Sequence, residues 1–167
     1  MPKGWRGNIC IAVAPTKNMD RIEWLAEKAT EIGIDEFVFL NCCYSERKVI
    51  KTERVERIVV SAMKQSLKYR KPAVSEMVDF KRFVTTERSG AKFIAHCYDE
   101  EKLLLKDAIV PGEDVTVLIG PEGDFSPEEV KMAMEAGYRP VSLGNSRLRT
   151  ETAGLVACHT FNLKNEI

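Results

Sequence analysis

The sequence predicts an α/β fold in which helices sandwich a mostly parallel sheet. Strand-like and helix-like segments alternate along the 167 residues, an order typical of successive βαβ units. The strand-like segments are apolar nearly throughout, which is typical of parallel strands that are covered on both faces. A chain of this length can bury a complete hydrophobic core, so we expect a single domain over residues 1–167.

Two strands and two helices are predicted in the first half of the chain. The apolar segments 8–14 and 37–40 are the strands. Apolar residues at helical spacing predict the first helix over 20–32, and Gly33 suits the position that ends it. The second helix follows the second strand, and one side of it carries Val55, Ile58, Val59, Ala62, Met63 and Ser66.

Three further strands and a final helix are predicted in the second half. Residues 92–96 and 115–119 are apolar nearly throughout, and a shorter strand is expected over 140–143. The final helix is expected to cover roughly residues 152–164.

A complete helix start lies between the last two of these strands. Ser126 can cap the helix, Pro127 suits the first helical position, and Glu129 completes a capping box. We expect this helix to end near Gly137.

Charge is balanced overall but unevenly distributed along the chain. The 25 basic and 25 acidic side chains cancel, which excludes a uniformly polycationic nucleic-acid binder but allows a local basic patch. Residues 1–83 carry 16 basic and 11 acidic side chains, whereas the remaining residues carry 9 and 14. The most basic stretch, residues 47–71, contains nine basic and two acidic side chains.

This basic stretch has two interpretations. At about 100° per residue, four of its cations fall in one narrow sector of the second helix, away from the apolar side: Arg54, Arg57, Lys64 and Lys68. Such a sector is either a solvated helix face or a ridge that follows the phosphates of a nucleic acid. In the second interpretation the candidate RNA-binding residues are Arg47, Arg54, Arg57, Lys64, Lys68 and Arg70.

The composition favours a cytoplasmic protein without a metal site. No apolar run is long enough to span a bilayer, and residues 1–6 lack the apolar stretch of a signal peptide. The five cysteines are odd in number and include no Cys-x-x-Cys pair, so reduced thiols are the simplest interpretation. His96 beside Cys97, and Cys158 beside His159, are weak indications of zinc, and we expect no metal.

The loop 118–126 joins a buried strand to the capped helix and is a candidate ligand site. Ligands of parallel sheets bind outside the carboxyl ends of the strands, where this loop must lie. Gly120 and Gly123 let the backbone approach a ligand closely. Glu122 and Asp124 suit a cationic or hydroxyl-bearing ligand better than a polyphosphate. A purely structural strand-to-helix turn is the alternative interpretation.

The loop 142–154 also follows a predicted strand and opens a predicted helix. Thr150 or Thr152 can cap that helix. A structural turn would not need so many hydrogen-bond donors close together, which favours a ligand site. Apolar walls and two anion-binding guanidinium groups are available from Leu143, Leu148, Arg147 and Arg149.

Two motifs, taken in order, resemble a known family. Residues 120–126 have the sequence Gly-Pro-Glu-Gly-Asp-Phe-Ser, and residues 143–153 follow the pattern Leu-Gly-x-x-x-Leu-Arg-Thr-Glu-Thr-Ala. The pair resembles the SPOUT methyltransferases and, within them, the ribosomal RNA small-subunit methyltransferase E family, which methylates N3 of a uridine in 16S rRNA. Upstream, the match extends through Lys17, Asp20, Arg21, Glu23, Trp24, Lys28, Glu31, Ser45, Glu46, Arg47, Gln65, Lys68, Arg70 and Pro72.

The chain departs from the family pattern at two of these positions. Asp124 stands where the family commonly has a second glycine, and Lys68 stands where it often has arginine. Family members also usually begin with a PUA-like RNA-binding domain. The chain starts where that domain would end, so we expect the PUA-like domain to be absent from it.

The resemblance implies a fold, a cofactor and partners. The sheet would be closed by a C-terminal trefoil knot, in which the two loops build a pocket for S-adenosylmethionine. The protein would be a cytoplasmic homodimer whose active sites draw groups from both subunits and act on the 16S rRNA of the small ribosomal subunit. Carried over onto matching positions, the cofactor-binding residues would be His96, Leu118, Ile119, Gly120, Pro121, Gly123, Leu143, Gly144, Leu148, Thr150 and Ala153. The resemblance implies that the adenine and ribose are held by the backbone around Leu118, Gly120, Gly123, Leu143, Gly144 and Leu148.

The implied reaction needs a proton acceptor and a cation. The N3 proton of uracil must leave before the nitrogen can attack, and the resulting anion needs stabilisation. Arg149 is expected to stabilise the anion or to hold a phosphate group, Glu122 is a candidate base or ribose contact, and Glu151 is expected to orient Arg149. Two other functions stay open: a non-catalytic RNA-binding module, and a SPOUT enzyme that methylates ribose 2′-hydroxyl groups of tRNA.

Overall fold

The computed structural model describes residues 3–167, which form a sheet with helices on both faces. The seven strands found there are β1 (Ile9–Val13), β2 (Glu36–Asn41), β3 (Ala73–Asp79), β4 (Ala91–Ala95), β5 (Leu103–Leu104), β6 (Val115–Ile119) and β7 (Arg139–Ser142). Their spatial order is β3-β2-β1-β6-β4-β7-β5, and each neighbouring pair is parallel. The predicted α/β fold is confirmed. The trefoil knot stays a prediction, because strand order and pairing do not define how the chain is threaded.

Helices cover both faces of this sheet. They are α1 (Met19–Ile32), α2 (Thr52–Gln65), α3 (Phe80–Thr85), α4 (Leu105–Ala108), α5 (Pro127–Glu135) and α6 (Thr150–Asn165). On one face α1, α2, α4 and α6 enclose the larger apolar cluster, which includes Leu25, Val59 and Phe161. On the other face α3 and α5 enclose a second cluster, in which the rings of Phe80 and Phe125 lie 5.4 Å apart. None of the described helices combines the length and the apolar character that a membrane crossing requires.

The central strands are buried on both faces, as their apolar composition predicts. All five residues of β1 and all five residues of β6 are buried. In β1, Ile9 and Ile11 belong to the larger cluster, whereas Cys10 and Ala12 belong to the second. This alternation explains why the strand needs apolar side chains at consecutive positions.

Two predicted helix termini are confirmed. The Glu129 N–H donates to Ser126 Oγ at 3.1 Å and the Ser126 N–H donates to Glu129 Oε1 at 2.8 Å, which is the predicted capping box of α5. Helix α1 ends at Gly33, where the φ of 135° and the closeness of the Trp5 ring leave no room for a side chain. The predicted cap of α6 is wrong, because the capping position is Arg149 and Thr150 is already helical.

Four short or marginal elements were not anticipated from the sequence. Strand β3 lies at the edge of the sheet and is only partly buried, so Ala73–Asp79 has no continuous apolar run. Helix α3 has six residues, α4 has four and β5 has two. Segments of this length contain too few residues for an apolar period to be detected.

Candidate active site

Neighbouring strands bring the two predicted loops together. Strands β6, β4 and β7 lie side by side and are parallel, so their carboxyl ends meet at one edge of the sheet. The loop 120–126 follows β6, and the loop 143–149 follows β7. The Thr150 hydroxyl donates to the Gly120 carbonyl oxygen at 2.9 Å in a buried position. The two loops are therefore in direct contact.

Two adjoining cavities open at this edge. The first cavity has a volume of about 320 Å³ and lies between the loop 120–126 and the start of α6. The second cavity has a volume of about 360 Å³ and lies against the loop 143–149. Ala95, Cys97 and Leu148 line both cavities, so the two volumes share a wall.

Most of the predicted cofactor-binding residues line one of these cavities. The first cavity is lined by Ile119, Gly120, Pro121 and Thr150. The second is lined by His96, Leu143 and Gly144, and both are lined by Leu148 and Ala153. Three segments of the chain, around residues 96, 119–121 and 143–153, thus meet at one site.

Leu118 and Gly123 lie outside the walls of both cavities. The Leu118 side chain is fully buried in the second apolar cluster, on the α3 and α5 face of the sheet. Gly123 faces Tyr44, because a Cβ atom built at this glycine would lie 3.2 Å from the Tyr44 Cβ atom. The contact expected for these two residues is with their backbone, so it stays a prediction.

His96 lies beside the second cavity but uses both ring nitrogens within its own loop. Its Nδ1 atom accepts the Tyr98 N–H at 3.1 Å, which assigns the ring proton of the neutral form to Nε2. The Nε2 atom lies 2.6 Å from Glu100 Oε1. The Lys102 ammonium group donates to the His96 carbonyl oxygen at 2.6 Å. His96 therefore shapes the loop 96–102 and has no free ring nitrogen for a ligand.

Asp124 connects two loops of the site, a role that the sequence analysis did not assign to it. Its Oδ2 atom accepts the Cys97 N–H at 2.9 Å, and its Oδ1 atom accepts the Phe125 N–H at 2.7 Å. The residue has a φ of 65°, in the left-handed region that favours glycine and tolerates aspartate. The departure from the family glycine at this position was the signal that could have revealed it.

The three predicted catalytic residues all line the first cavity. Glu122 is exposed, and its Oε2 atom accepts the Lys17 N–H at 3.1 Å. Arg149 is also exposed and forms no salt bridge within residues 3–167. Glu151 is only 8% exposed.

The expected orientation of Arg149 by Glu151 is wrong, because Glu151 faces Arg21 instead. The Glu151 Oε2 atom lies 4.0 Å from Arg21 Nε, and Arg21 also lines the first cavity. The Glu151 Oε1 atom is buried and has no hydrogen-bond donor among the described residues. Arg21 was missed as a cavity residue because it lies on α1, about 100 positions before the two loops.

The cations of the predicted basic ridge fall into two groups, those that bind other protein groups and those for which no such contact is found among the described residues. Arg57 and Lys64 are exposed on α2, but Arg54 Nε lies 2.6 Å from Glu23 on α1. Arg47 donates through Nε and Nη2 to two main-chain carbonyl oxygens, at 3.1 Å and 2.7 Å. The exposed cations of α2 are thus better placed for phosphate groups than Arg47 and Arg54.

Lys68 does not belong to the helix sector in which it was predicted. Helix α2 ends at Gln65, and Leu67 adopts a φ of 59°. The Lys68 N–H then donates back to the Met63 carbonyl oxygen at 2.9 Å, which closes a Schellman motif. Lys68 and Arg70 therefore lie at the amino-terminal edge of the sheet, opposite the two cavities, in a third cavity with Trp5.

The cysteines are free thiols, and no metal centre is found among the described residues. Burial raises the pKa of the Cys10, Cys42 and Cys158 thiols above their ordinary value. These three thiols are therefore protonated and unreactive near neutral pH. Cys43 and Cys97 are exposed.

Comparison with known proteins agrees with this arrangement. Residues 4–162 match the family model of the RNA methyltransferase domain. A crystal structure of a probable rRNA-methyltransferase from Porphyromonas gingivalis is 49% identical in sequence and gives a TM-score of 0.92, with 98% of this chain and 71% of that chain covered.

Two further relatives are described as ribosomal RNA small subunit methyltransferase E. The crystal structure of the Neisseria gonorrhoeae protein, bound to S-adenosyl methionine, is 27% identical and gives a TM-score of 0.83 over 96% of this chain and 68% of that chain. The Aquifex aeolicus protein is 31% identical over 150 residues, which are 87% of this chain and 64% of that protein. The chain spans between about half and just under two thirds of the length of the curated relatives that it matches.

Proposed function

The chain belongs to the RNA methyltransferase domain family, and from this premise we propose that it transfers a methyl group from S-adenosylmethionine to N3 of a uridine in 16S rRNA. The relatives described as ribosomal RNA small subunit methyltransferase E support the substrate. The S-adenosyl methionine bound to the Neisseria gonorrhoeae protein supports the cofactor.

The observation that carries the proposal is the pair of adjoining cavities at the carboxyl ends of β6, β4 and β7. Their volumes of about 320 and 360 Å³ lie in the range of small-molecule sites. Leu143 and Leu148 offer apolar surface, which suits the flat faces of an adenine ring. The carboxylates of Glu122 and Asp124 in the first cavity suit an ammonium group and hydroxyl groups. The residues present therefore fit the cofactor.

We assign the adenosine part of the cofactor to the second cavity and the reacting end to the first. The backbone of the loop 143–149 would hold the adenine and ribose, and Gly120, on the wall of the first cavity, would lie toward the reacting end. When bound, the cofactor supplies a methyl group on a sulfonium leaving group. The chain then has to hold the uracil in line with that group and to remove the N3 proton.

Glu122 is the proton acceptor that the contacts favour. Its Oε2 atom is held by the Lys17 N–H, which leaves Oε1 without a donor among the described residues. An exposed carboxylate that is fixed at one oxygen can accept a proton at the other without first being reoriented. Glu122 also lies on the wall of the first cavity, where the uracil would enter.

Arg149 is the cation proposed to stabilise the uracil anion. Its guanidinium group is exposed at the first cavity and forms no salt bridge within residues 3–167. A preorganised cation next to a developing negative charge lowers the barrier of such a step. Arg21 and Glu151 form the wall behind it, where they neutralise each other.

The RNA is proposed to bind along α2 and to continue past its end. Arg57 and Lys64 project from the exposed side of α2, and Lys68 and Arg70 follow beyond Leu67. Phosphate contacts of this kind fix the position of an RNA without reading its sequence. The target uridine would then be turned outward into the first cavity.

The assembly and the location are also proposals. A homodimer is supported by the apolar residues that α6 leaves partly uncovered, of which Leu163 is 62% exposed. The family implies that each active site draws groups from both subunits. Free thiols and a ribosomal substrate support a cytoplasmic location. Light scattering at two protein concentrations tests the dimer.

A methyl-transfer assay separates the proposed function from the two alternatives. Small ribosomal subunits and protein-free 16S rRNA are incubated with S-adenosylmethionine that carries a labelled methyl group, and the RNA is digested to nucleosides. Label in 3-methyluridine supports the proposal. Label in a ribose-methylated nucleoside indicates a 2′-hydroxyl methyltransferase. RNA binding without transfer to either substrate indicates a non-catalytic module.

Thiol labelling tests the proposed cofactor position without turnover. Cys97 lines both cavities, whereas the other exposed thiol, Cys43, lines neither. In the Cys43→Ser variant, we expect S-adenosylmethionine to slow the alkylation of Cys97 by maleimide at least fivefold. In the Cys97→Ser variant, alkylation of Cys43 should not respond to the cofactor. Equal rates with and without cofactor at both thiols would contradict the proposed position.

A further inference from the structure

Arg47 was predicted to bind RNA, but its contacts assign it another role. We propose that Arg47 is a positioning residue that acts through the main chain of residues 16–17 to fix Glu122 on the wall of the first cavity. The inference rests on the proposed function, because it gives Glu122 its importance as the proton acceptor.

The first step is the contact between Arg47 and the loop that connects β1 to α1. Arg47 Nε donates to the Thr16 carbonyl oxygen at 3.1 Å, and Arg47 Nη2 donates to the Lys17 carbonyl oxygen at 2.7 Å. Two donors of one planar guanidinium group thus bind two consecutive carbonyl groups. A lysine at this position could not reproduce this geometry, because its ammonium group is a single point charge.

The second step is the contact between this loop and Glu122. The Lys17 N–H donates to Glu122 Oε2 at 3.1 Å. Arg47 and Glu122 therefore bind the same short segment, one at its carbonyl oxygens and the other at an amide hydrogen. Thr16 is fully buried and its hydroxyl donates to the Asn18 carbonyl oxygen at 2.7 Å, so the segment has little freedom of its own.

The third step is the anchoring of the segment that carries Arg47. The Cys43 N–H donates to Glu129 Oε2 at 3.0 Å, and Glu129 belongs to the capping box of α5. Tyr44 packs against Gly123 in the loop that contains Glu122. Residues 42–47 are thus attached both to the loop 120–126 and to residues 16–17. Residues 16–17, 42–47 and 120–126 therefore each contact the other two segments, and Arg47 makes the contact between 42–47 and 16–17.

Arg57 provides a matched comparison within the same basic stretch. It is exposed on α2 and has no hydrogen-bond or salt-bridge partner among the described residues. Its guanidinium group is therefore free to contact a phosphate group. If Arg47 is a positioning residue and Arg57 is a phosphate ligand, their alanine variants should fail in different ways.

The test compares kcat and KM for RNA in the two alanine variants. We expect Arg47→Ala to lower kcat about tenfold and to change KM for RNA less than twofold. Arg57→Ala should raise KM for RNA severalfold, less at higher salt because one phosphate contact fewer depends on salt, and leave kcat unchanged. Arg47→Lys keeps the positive charge but not the two N–H donors of a planar guanidinium group. It should recover less than half of the kcat that Arg47→Ala loses. A rise in KM with unchanged kcat in Arg47→Ala would overturn the proposal.

Two further measurements separate this inference from a general loss of structure and from the proposed function. In a Glu122→Ala background, adding Arg47→Ala should lower kcat less than twofold, because the group that it positions is already missing. The Lys17 amide should exchange its hydrogen at least threefold faster in Arg47→Ala than in the parent protein. That exchange needs no turnover, so it tests the contact even if the parent protein transfers no methyl group. An additive loss of kcat, or an unchanged exchange rate, would count against the role of Arg47.

Discussion

The two edges of the sheet hold cavities of similar size but opposite character. At the amino-terminal edge, a cavity of about 430 Å³ is surrounded by polar groups that bind one another. Asp35 accepts hydrogen bonds from Lys3 Nζ at 2.7 Å, from the Trp5 indole N–H at 2.9 Å and from the Ile9 N–H at 2.8 Å. The carboxylate of Asp35 is thereby largely satisfied by the protein itself.

At the carboxyl-terminal edge the polar groups of the first cavity are left incomplete. Glu151 Oε1 is buried without a donor, Glu122 uses one of its two oxygens, and Arg149 forms no salt bridge, all within residues 3–167. A buried polar atom without a partner costs free energy, so the buried Glu151 Oε1 atom would gain from a ligand that donates a hydrogen bond to it.

The two cavities therefore differ less in size than in how far the polar groups around them are hydrogen-bonded. The amino-terminal cavity is larger than the first cavity. Its wall contains a second ion pair, in which Arg88 Nη2 lies 2.7 Å from Glu36 Oε1. Satisfied networks make a fold rigid, and partly satisfied networks are available to a ligand. The following predictions test this division from the largest expected effect to the smallest.

Removal of the Asp35 carboxylate should cause the largest loss of stability. Asp35→Ala leaves the Trp5 indole N–H and the Ile9 N–H without their acceptor and removes the carboxylate that pairs with the Lys3 ammonium group. We expect the free energy of unfolding to fall by about 3 kcal/mol. Urea denaturation measures the change, and Asp35→Asn, which keeps one acceptor oxygen, should lose about half as much. A loss below about 1 kcal/mol for Asp35→Ala would mean that the network does not stabilise the fold.

At the carboxyl-terminal edge, Glu122→Gln should lower the activity and leave the stability almost unchanged. Glutamine can still accept the Lys17 N–H but cannot take up the uracil proton. We expect kcat to fall about 100-fold, which is the usual scale for loss of a general base. The free energy of unfolding should stay within about 0.5 kcal/mol of the parent value. Single-turnover kinetics and urea denaturation on the same preparation test both statements, and unchanged kcat would remove Glu122 as the proton acceptor.

The sequence was sufficient to predict the parts of the fold that depend on local patterns. The buried strands β1 and β6 are recognisable because consecutive positions face apolar clusters on both sides of the sheet. The α5 start is recognisable because its capping box lies within four consecutive residues. Strand β3 was missed because an edge strand that is half exposed does not need a continuous apolar run.

The candidate site was predictable only in part. The loops 120–126 and 143–149 could be paired because strand ends in a parallel sheet meet at one edge. The place of Arg21 in the cavity and the engagement of Arg47 with main-chain carbonyl groups depend on contacts between distant segments. The orientation of Leu118 away from the cavities depends on the strand register, which one residue of shift would reverse.

Tyr138 is an exception at the amino-terminal edge, because its buried hydroxyl group has no partner among the described residues. Burial raises the pKa of Tyr138 to about 12, whereas an unfolded tyrosine titrates near about 10. The folded state therefore favours the neutral form, and the stability that this contributes is complete below pH 10 and is lost as the pH rises through 12.

Tyr138→Phe should remove this part of the alkaline loss. Between pH 8 and about pH 11.5, we expect the free energy of unfolding to fall by about 2 kcal/mol less in the variant than in the parent protein. The buried cysteines also make stability pH-dependent in this range, because burial raises their pKa in the folded state and unfolding exposes them, but they are common to both proteins and cancel in the difference. Urea denaturation across the pH series measures this. Parallel curves for the two proteins would show that the Tyr138 hydroxyl does not contribute.

The smallest predicted effects compare the two residues other than glycine that have a positive φ in the described chain, Leu67 and Asp124. Leu67 follows α2 with a φ of 59°, and its side chain is 78% exposed. Contacts of this side chain therefore do little to offset the strain of the left-handed backbone. Leu67→Gly should raise the free energy of unfolding by about 0.5 to 1 kcal/mol. Leu67→Ala keeps the Cβ atom and should leave it unchanged; an equal gain in both variants would locate the cost in the side chain.

The same substitution at Asp124 should have the opposite sign. Glycine would relieve the φ of 65°, but it would also remove the acceptors of the Cys97 and Phe125 N–H groups. Two lost hydrogen bonds at about 1 kcal/mol each exceed the relief of strain, so Asp124→Gly should lower the free energy of unfolding by about 0.5 to 1 kcal/mol. Urea denaturation of the two glycine variants measures this reversal of sign. If Asp124→Gly stabilised the protein as Leu67→Gly does, the Asp124 carboxylate would not connect the loops at the carboxyl-terminal edge.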